Sequence, residues 1–179
     1  MPLRHAATLS LLAASLLAGC AGMTPPPRPG ATAELVPTAA LSPNPTMGKV
    51  TFTPLEHGLR VAGEVHGLVP GTEHGFHIHE KGDCADNGEA ADTHFNPAGG
   101  THGKFAAPGS HAGDLPSLVA DASGAARFSV DVHTLSLTDG AANNVVGRAL
   151  AVNRDRDDFT TQPSGNAGPR IACGVITRN

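Results

Sequence analysis

The sequence predicts an all-β domain, an antiparallel sandwich or barrel of about eight short strands, and three observations carry that reading. The 179 residues include 22 glycines and 15 prolines, a density of turn formers that breaks the chain into short pieces. No long stretch repeats its apolar residues at the i, i+3, i+4, i+7 spacing of an amphipathic helix. Several short runs instead alternate apolar and polar residues, the period of a strand with one face buried.

Taken in order, the chain opens with an export leader. Arg4 and His5 precede an apolar run over 6–18 that suits a signal peptide and is too short to span a bilayer. It closes on Leu17-Ala18-Gly19-Cys20, similar to the lipobox of bacterial lipoproteins, so residues 1–20 are expected to be signal, with Cys20 acylated after cleavage. Ala21 after that cysteine points to the periplasmic face of an outer membrane. Residues 21–31 are proline-rich and read as an extended tether, leaving 32–179 as one folded domain. The membrane is then reached through a lipid anchor only.

Within the domain, Leu59, Val61 and Val65 alternate with Arg60, Glu64 and His66, and Phe128, Val130 and Val132 alternate with Arg127, Ser129, Asp131 and His133. Further strands are expected over 48–53, 75–79, 148–152 and 171–176, with a weaker one over 33–41 interrupted by Pro37. Val69-Pro70-Gly71 and Asp139-Gly140 supply turns. Two long segments, about 82–115 and 153–169, fit no strand, and loops of that length in a compact domain are functional or disordered.

The formal charge of -4 argues against nucleic acid, which requires a basic face. With Cys20 set aside for acylation, two thiols remain. An oxidising compartment favours a bridge between Cys84 and Cys173; two buried free thiols are the other reading. The chemistry lies where loops meet strand ends. In Phe76-His77-Ile78-His79 the pleat sends both imidazoles to one face, a pair suited to copper or zinc. His94, His102 and His111 with Asp114 offer three nitrogens and one oxygen, a closed tetrahedral zinc set. A loop with little regular hydrogen bonding would be ordered by the metal it binds.

The segments GFHIHEKGDC at 75–84, HFNPAGGTHG at 94–103, HAGDLP at 111–116, VGRALAV at 146–152 and GNAGPRIACGVI at 165–176 resemble those of bacterial copper,zinc superoxide dismutases, and the resemblance runs from about 33 to 176. It implies a Greek-key β-barrel and the conversion of superoxide to O2 and H2O2 in the cell envelope. It implies copper on His77 and His79, His94 shared between copper and zinc, and zinc completed by His102, His111 and Asp114. Cys84 and Cys173 match the family's disulfide. Arg170 matches the arginine that guides the anionic substrate, and with His94 it makes up the expected catalytic pair; an arginine here can equally anchor the disulfide loop through its carbonyls. Asp157 falls near the carboxylate that joins the two metal sites by hydrogen bonding to their histidines. Monomers and homodimers both occur on this fold. One departure stands out: Asn153 occupies the position of a further copper-ligating histidine, and an amide is a poorer copper donor than imidazole. The weakened site leaves a second reading, a zinc-ordered module that binds copper without catalysis.

Overall fold

The computed structural model describes residues 29–38 and 44–179. The leader with Cys20 and nearly all of the tether lie outside the described residues. Nine strands are present among them. They are β1 (Ala31–Pro37), β2 (Met47–Pro54), β3 (Leu59–His66), β4 (Glu73–His74), β5 (Phe76–His79), β6 (Leu118–Val119), β7 (Ala126–Val132), β8 (Ala149–Asn153) and β9 (Arg170–Arg178). Seven form one antiparallel sheet in the order β5-β8-β9-β1-β2-β3-β7, while β4 and β6 pair separately. Sequential neighbours β1, β2 and β3 are joined directly, and β9 returns from the far end of the chain to lie beside β1. This is the expected all-β fold.

Alternation sets which side chains go inward. In β3, Leu59, Val61 and Val65 are buried while Arg60 and His66 are exposed; in β2, Val50 and Phe52 are buried between Lys49, Thr51 and Thr53. These meet Phe76, Ile78, Leu150, Val152 and Ile176 in a single core, each large apolar side chain contributing roughly 1.5–3 kcal/mol by leaving water. His133 is exposed at the end of β7, its Nδ1 donating to the His57 carbonyl at 2.9 Å, far from any ligand role.

The differences from expectation are local. β1 begins two residues earlier than expected and stops at Pro37, which has no N–H to continue the ladder. β4 and β6 are two residues each, too short to show a period. A 3-10 turn over Asp86–Ala91 interrupts the first long loop, with Asn87 and Gly88 at positive φ. The rest of that loop folds back along β5. Phe95 N–H donates to the Ile78 carbonyl at 2.8 Å, Ile78 N–H to the Gly113 carbonyl at 2.9 Å, and Leu115 N–H to the Phe76 carbonyl at 3.3 Å. These bonds cover the outer edge of the sheet and carry His94 and Asp114 alongside His79 and His77, with which they form isolated bridges.

Candidate metal centre

Five pieces of chain converge here. β5 supplies His77 and His79 on the face opposite Phe76 and Ile78. The covering loop supplies His94, His102, His111 and Asp114. β8 ends in Asn153, the following segment brings Asp157, and β9 begins with Arg170. Among the described residues two potential metal-binding groups result: His94, His102, His111 and Asp114, and His77, His79 and His94, every member buried. His94 belongs to both.

In the first group three Nδ1 atoms surround one oxygen. Asp114 Oδ1 lies 2.9 Å from His94 Nδ1, 3.1 Å from His102 Nδ1 and 3.4 Å from His111 Nδ1. A tetrahedron of ligands bonded to zinc at about 2.0–2.1 Å has edges of about 3.3–3.4 Å, so the cage is near zinc size. Asp114 Oδ2 accepts the backbone N–H groups of Gly103 at 3.1 Å and His111 at 3.0 Å, which aims Oδ1 at the rings. His111 Nδ1 is buried without a hydrogen-bond partner. A buried nitrogen in that condition is costly unless a cation completes it.

Asp157 joins the groups. Its Oδ2 accepts from His77 Nε2 at 2.8 Å and its Oδ1 from His102 Nε2 at 2.9 Å. With the protons on those nitrogens, the opposite Nδ1 atoms are the ones that would ligate a metal. Burial alone would raise the Asp157 and Asp114 pKa values, but their imidazole partners hold both below the usual carboxylate range. Burial would lower His102, yet its bonds to Asp114 and Asp157 bring it up to about 9. Burial is the main reason His94 falls to about 4, against the bond to Asp114. His79 is lowered well below its ordinary value, by burial first and then by the Arg170 charge.

The second group has the donor chemistry copper takes. His79 Nδ1 donates to the Asp92 carbonyl at 2.8 Å, while its Nε2 is buried with no partner. His77 and His94 stack at 4.0 Å between ring centroids. Asn153 lies against this group, its Oδ1 3.1 Å from His77 Nδ1. Arg170 borders a cleft of about 270 Å³ with His94, Glu89, Asp92 and Ser164. Its guanidinium donates to the carbonyls of Gly88 and, at 2.6 Å, Asp92, so it anchors the disulfide loop and faces the cleft at once. Cys84 and Cys173 form a disulfide that ties the loop to β9.

Two residues of the site had no role assigned from the sequence. His74 is buried, its Nδ1 donating to the Asn153 carbonyl at 2.9 Å, which steadies the end of β8. Gly75 admits the close packing beside it, since a Cβ there would lie 2.9 Å from His77 Cε1 and 2.7 Å from the Ala167 Cβ. The first makes a contact across 79 residues, which no local pattern encodes.

A family profile described as copper/zinc superoxide dismutase (SODC) matches residues 46–176. The chain belongs to the copper/zinc superoxide dismutase family. It is 38% identical over 150 residues to superoxide dismutase [Cu-Zn] 2 of Aquifex aeolicus, covering 82% of this chain and 85% of that one. It is 36% identical over 186 residues to the superoxide dismutase-like protein YojM of Bacillus subtilis, covering 96% and 95%. Among solved structures, a double mutant of a SOD-like protein from Bacillus subtilis, carrying two introduced histidines, superposes with a TM-score of 0.73 at 36% identity over 82% of this chain and 96% of the other. Family membership implies copper and zinc as cofactors and superoxide as substrate, and the two histidine groups are the places in this chain that could hold the metals.

Proposed function

We propose that this protein is a copper,zinc superoxide dismutase of the bacterial cell envelope, turning two superoxide anions and two protons into O2 and H2O2. The observation that carries the reading is His94, one buried imidazole belonging to both potential metal-binding groups. Zinc would be held by His94, His102, His111 and Asp114, and copper by His77, His79 and His94. Copper, when bound, supplies the one-electron exchange with superoxide. The chain's own residues do the rest. Arg170 offers positive charge at the cleft beside His94, Asp157 keeps His77 and His102 in the ligating tautomer, and burial excludes water from the imidazoles. The leader and lipobox argue for export and a lipid anchor at Cys20, and the disulfide suits that compartment.

Asn153 favours a second reading, a zinc-ordered barrel that binds copper without turning it over, because an amide stands where imidazole is expected. One experiment separates the two. Metal content and superoxide-dismuting rate are measured on the same purified, copper-reconstituted sample. High activity per bound copper supports the enzyme; full copper loading with no activity above free copper selects the binding module.

A further inference from the structure

Three polar groups of Asn153 are tied to backbone or to His74, and the fourth, Oδ1, meets only His77. Its N–H donates to the Gly75 carbonyl at 2.8 Å, its carbonyl accepts from His74 Nδ1 at 2.9 Å, and Nδ2 donates to the Gly168 carbonyl at 2.8 Å. That last bond decides which way round the amide lies, because in the flipped amide Oδ1 would face another carbonyl oxygen. Oδ1 is therefore turned to His77, 3.1 Å from Nδ1. His77 is fixed in turn by Asp157 Oδ2 at 2.8 Å from Nε2. A carboxylate only accepts, so Nε2 carries a proton, and Nδ1 is the nitrogen through which His77 would ligate a metal. Oδ1 and Nδ1 thus lie side by side in a buried site, and the buried, unpartnered Nε2 of His79 belongs to the same histidine group as His77. The 3.1 Å separation also fits neighbouring ligands on a cation bonded at about 2.0 Å, which stand roughly 2.8–3.3 Å apart between square and tetrahedral geometry.

We propose that Asn153 Oδ1 is itself a copper ligand, so that this chain offers three imidazole nitrogens and one amide oxygen where the family pattern offers four imidazoles. This rests on the copper reading above. The oxygen cannot easily withdraw: Asn153 makes three bonds to two separate segments, His74-Gly75 and Gly168, and its Cβ packs close to Gly75. An amide oxygen is a weaker and harder donor than imidazole, so it supports copper(II) more than copper(I).

The test uses the full-length, zinc-loaded protein titrated with copper(II) alone. Electron paramagnetic resonance on the wild type should show a mixed nitrogen and oxygen environment. Asn153→Leu, which removes the oxygen at similar size, should shift that spectrum and weaken copper(II) binding by about tenfold with a smaller change for copper(I). Asn153→Asp, which keeps an oxygen, should hold copper(II) at least as well as wild type. Zinc content and the disulfide report that each variant is folded. Should Asn153→Leu lose zinc, pulsed resonance on wild-type protein with isotopically labelled asparagine decides instead, since a bound amide oxygen places its carbon within coupling range. Absence of that coupling, or a folded Asn153→Leu with unchanged spectrum and affinity, overturns the amide ligand while leaving the copper reading in place. A wild type that binds no copper overturns both.

Discussion

Asp157→Asn is the most discriminating single change, because Asp157 is not a candidate ligand for either metal yet holds a histidine of each group. The wild-type carboxylate accepts from His77 Nε2 at 2.8 Å and His102 Nε2 at 2.9 Å, and also from the Phe159 N–H at 2.7 Å. Both imidazoles and the carboxylate are buried where water cannot replace a lost acceptor. An amide offers one oxygen, so one imidazole N–H is left facing an NH2 group, and the charge that strengthened both bonds is gone. A hydrogen bond to a charged group contributes about 1.5–3 kcal/mol net. At about 1.4 kcal/mol per tenfold, losing one such bond predicts a fall of roughly 10- to 100-fold in metal affinity, the range typical for partners of metal-bound histidines. Competition against a chromophoric chelator, run separately for zinc and for copper(II), measures both constants. Both should fall in the same variant. Zinc affinity within about threefold of wild type while copper falls would refute the bridging role, because His102 would then be oriented by something else.

Four further outcomes are expected. In metal-free protein, burial opposes the His102 charge but Asp114 and Asp157 raise its pKa from 6.5 to about 9; a raised folded value stabilises fully below about pH 6.5 and is lost as pH climbs through about 9. The urea midpoint of the metal-free protein should therefore drop between about pH 7 and pH 10, and a flat or rising midpoint contradicts the arrangement. Asp114→Ala should abolish stoichiometric zinc binding and speed proteolysis within 82–115; unchanged zinc content removes Asp114 from the ligand set. The Cys84–Cys173 bridge closes a loop of 89 residues, so Cys84→Ser should cost about 4–5 kcal/mol in the loop-entropy account, or about 8–20 °C in Tm for a domain of this size, read by calorimetry. Asn153→His should raise copper(I) retention and activity per copper with zinc content unchanged, and flat activity at full copper loading would favour the binding module.

How far the sequence could be read depended on whether the deciding contact was local. Leu59, Val61 and Val65 announce their strand because the pleat writes burial into every second residue. His77 and His79 announce their shared face for the same reason. His94, His102, His111 and Asp114 could be picked out because a zinc set needs those side-chain types, although only the resemblance said which histidines belonged together. Asp157 could be placed only near its role from the sequence, since loop length blurs alignment; the pair of hydrogen bonds to His77 and His102 locates it. β4 and β6 have two residues each and therefore no period to detect. Arg170 carried two readings, anchor or substrate guide. The structure gives it the anchoring bond to the Asp92 carbonyl and a place lining the cleft, so the anchor does not take it away from the cleft.

The loop that folds back along β5 has a bearing on the life of the protein before it acquires metal. Its backbone bonds at Phe76, Ile78, Phe95 and Gly113 occupy what would otherwise be an open strand edge, and such an edge invites pairing with another chain. That loop also bears four of the candidate metal-binding side chains, so filling them would tighten its grip on β5. A copy without zinc would carry a poorly guarded edge backed by the apolar residues Phe76 and Ile78. Zinc supply would then govern solubility, and self-association of zinc-free protein should begin at this strand.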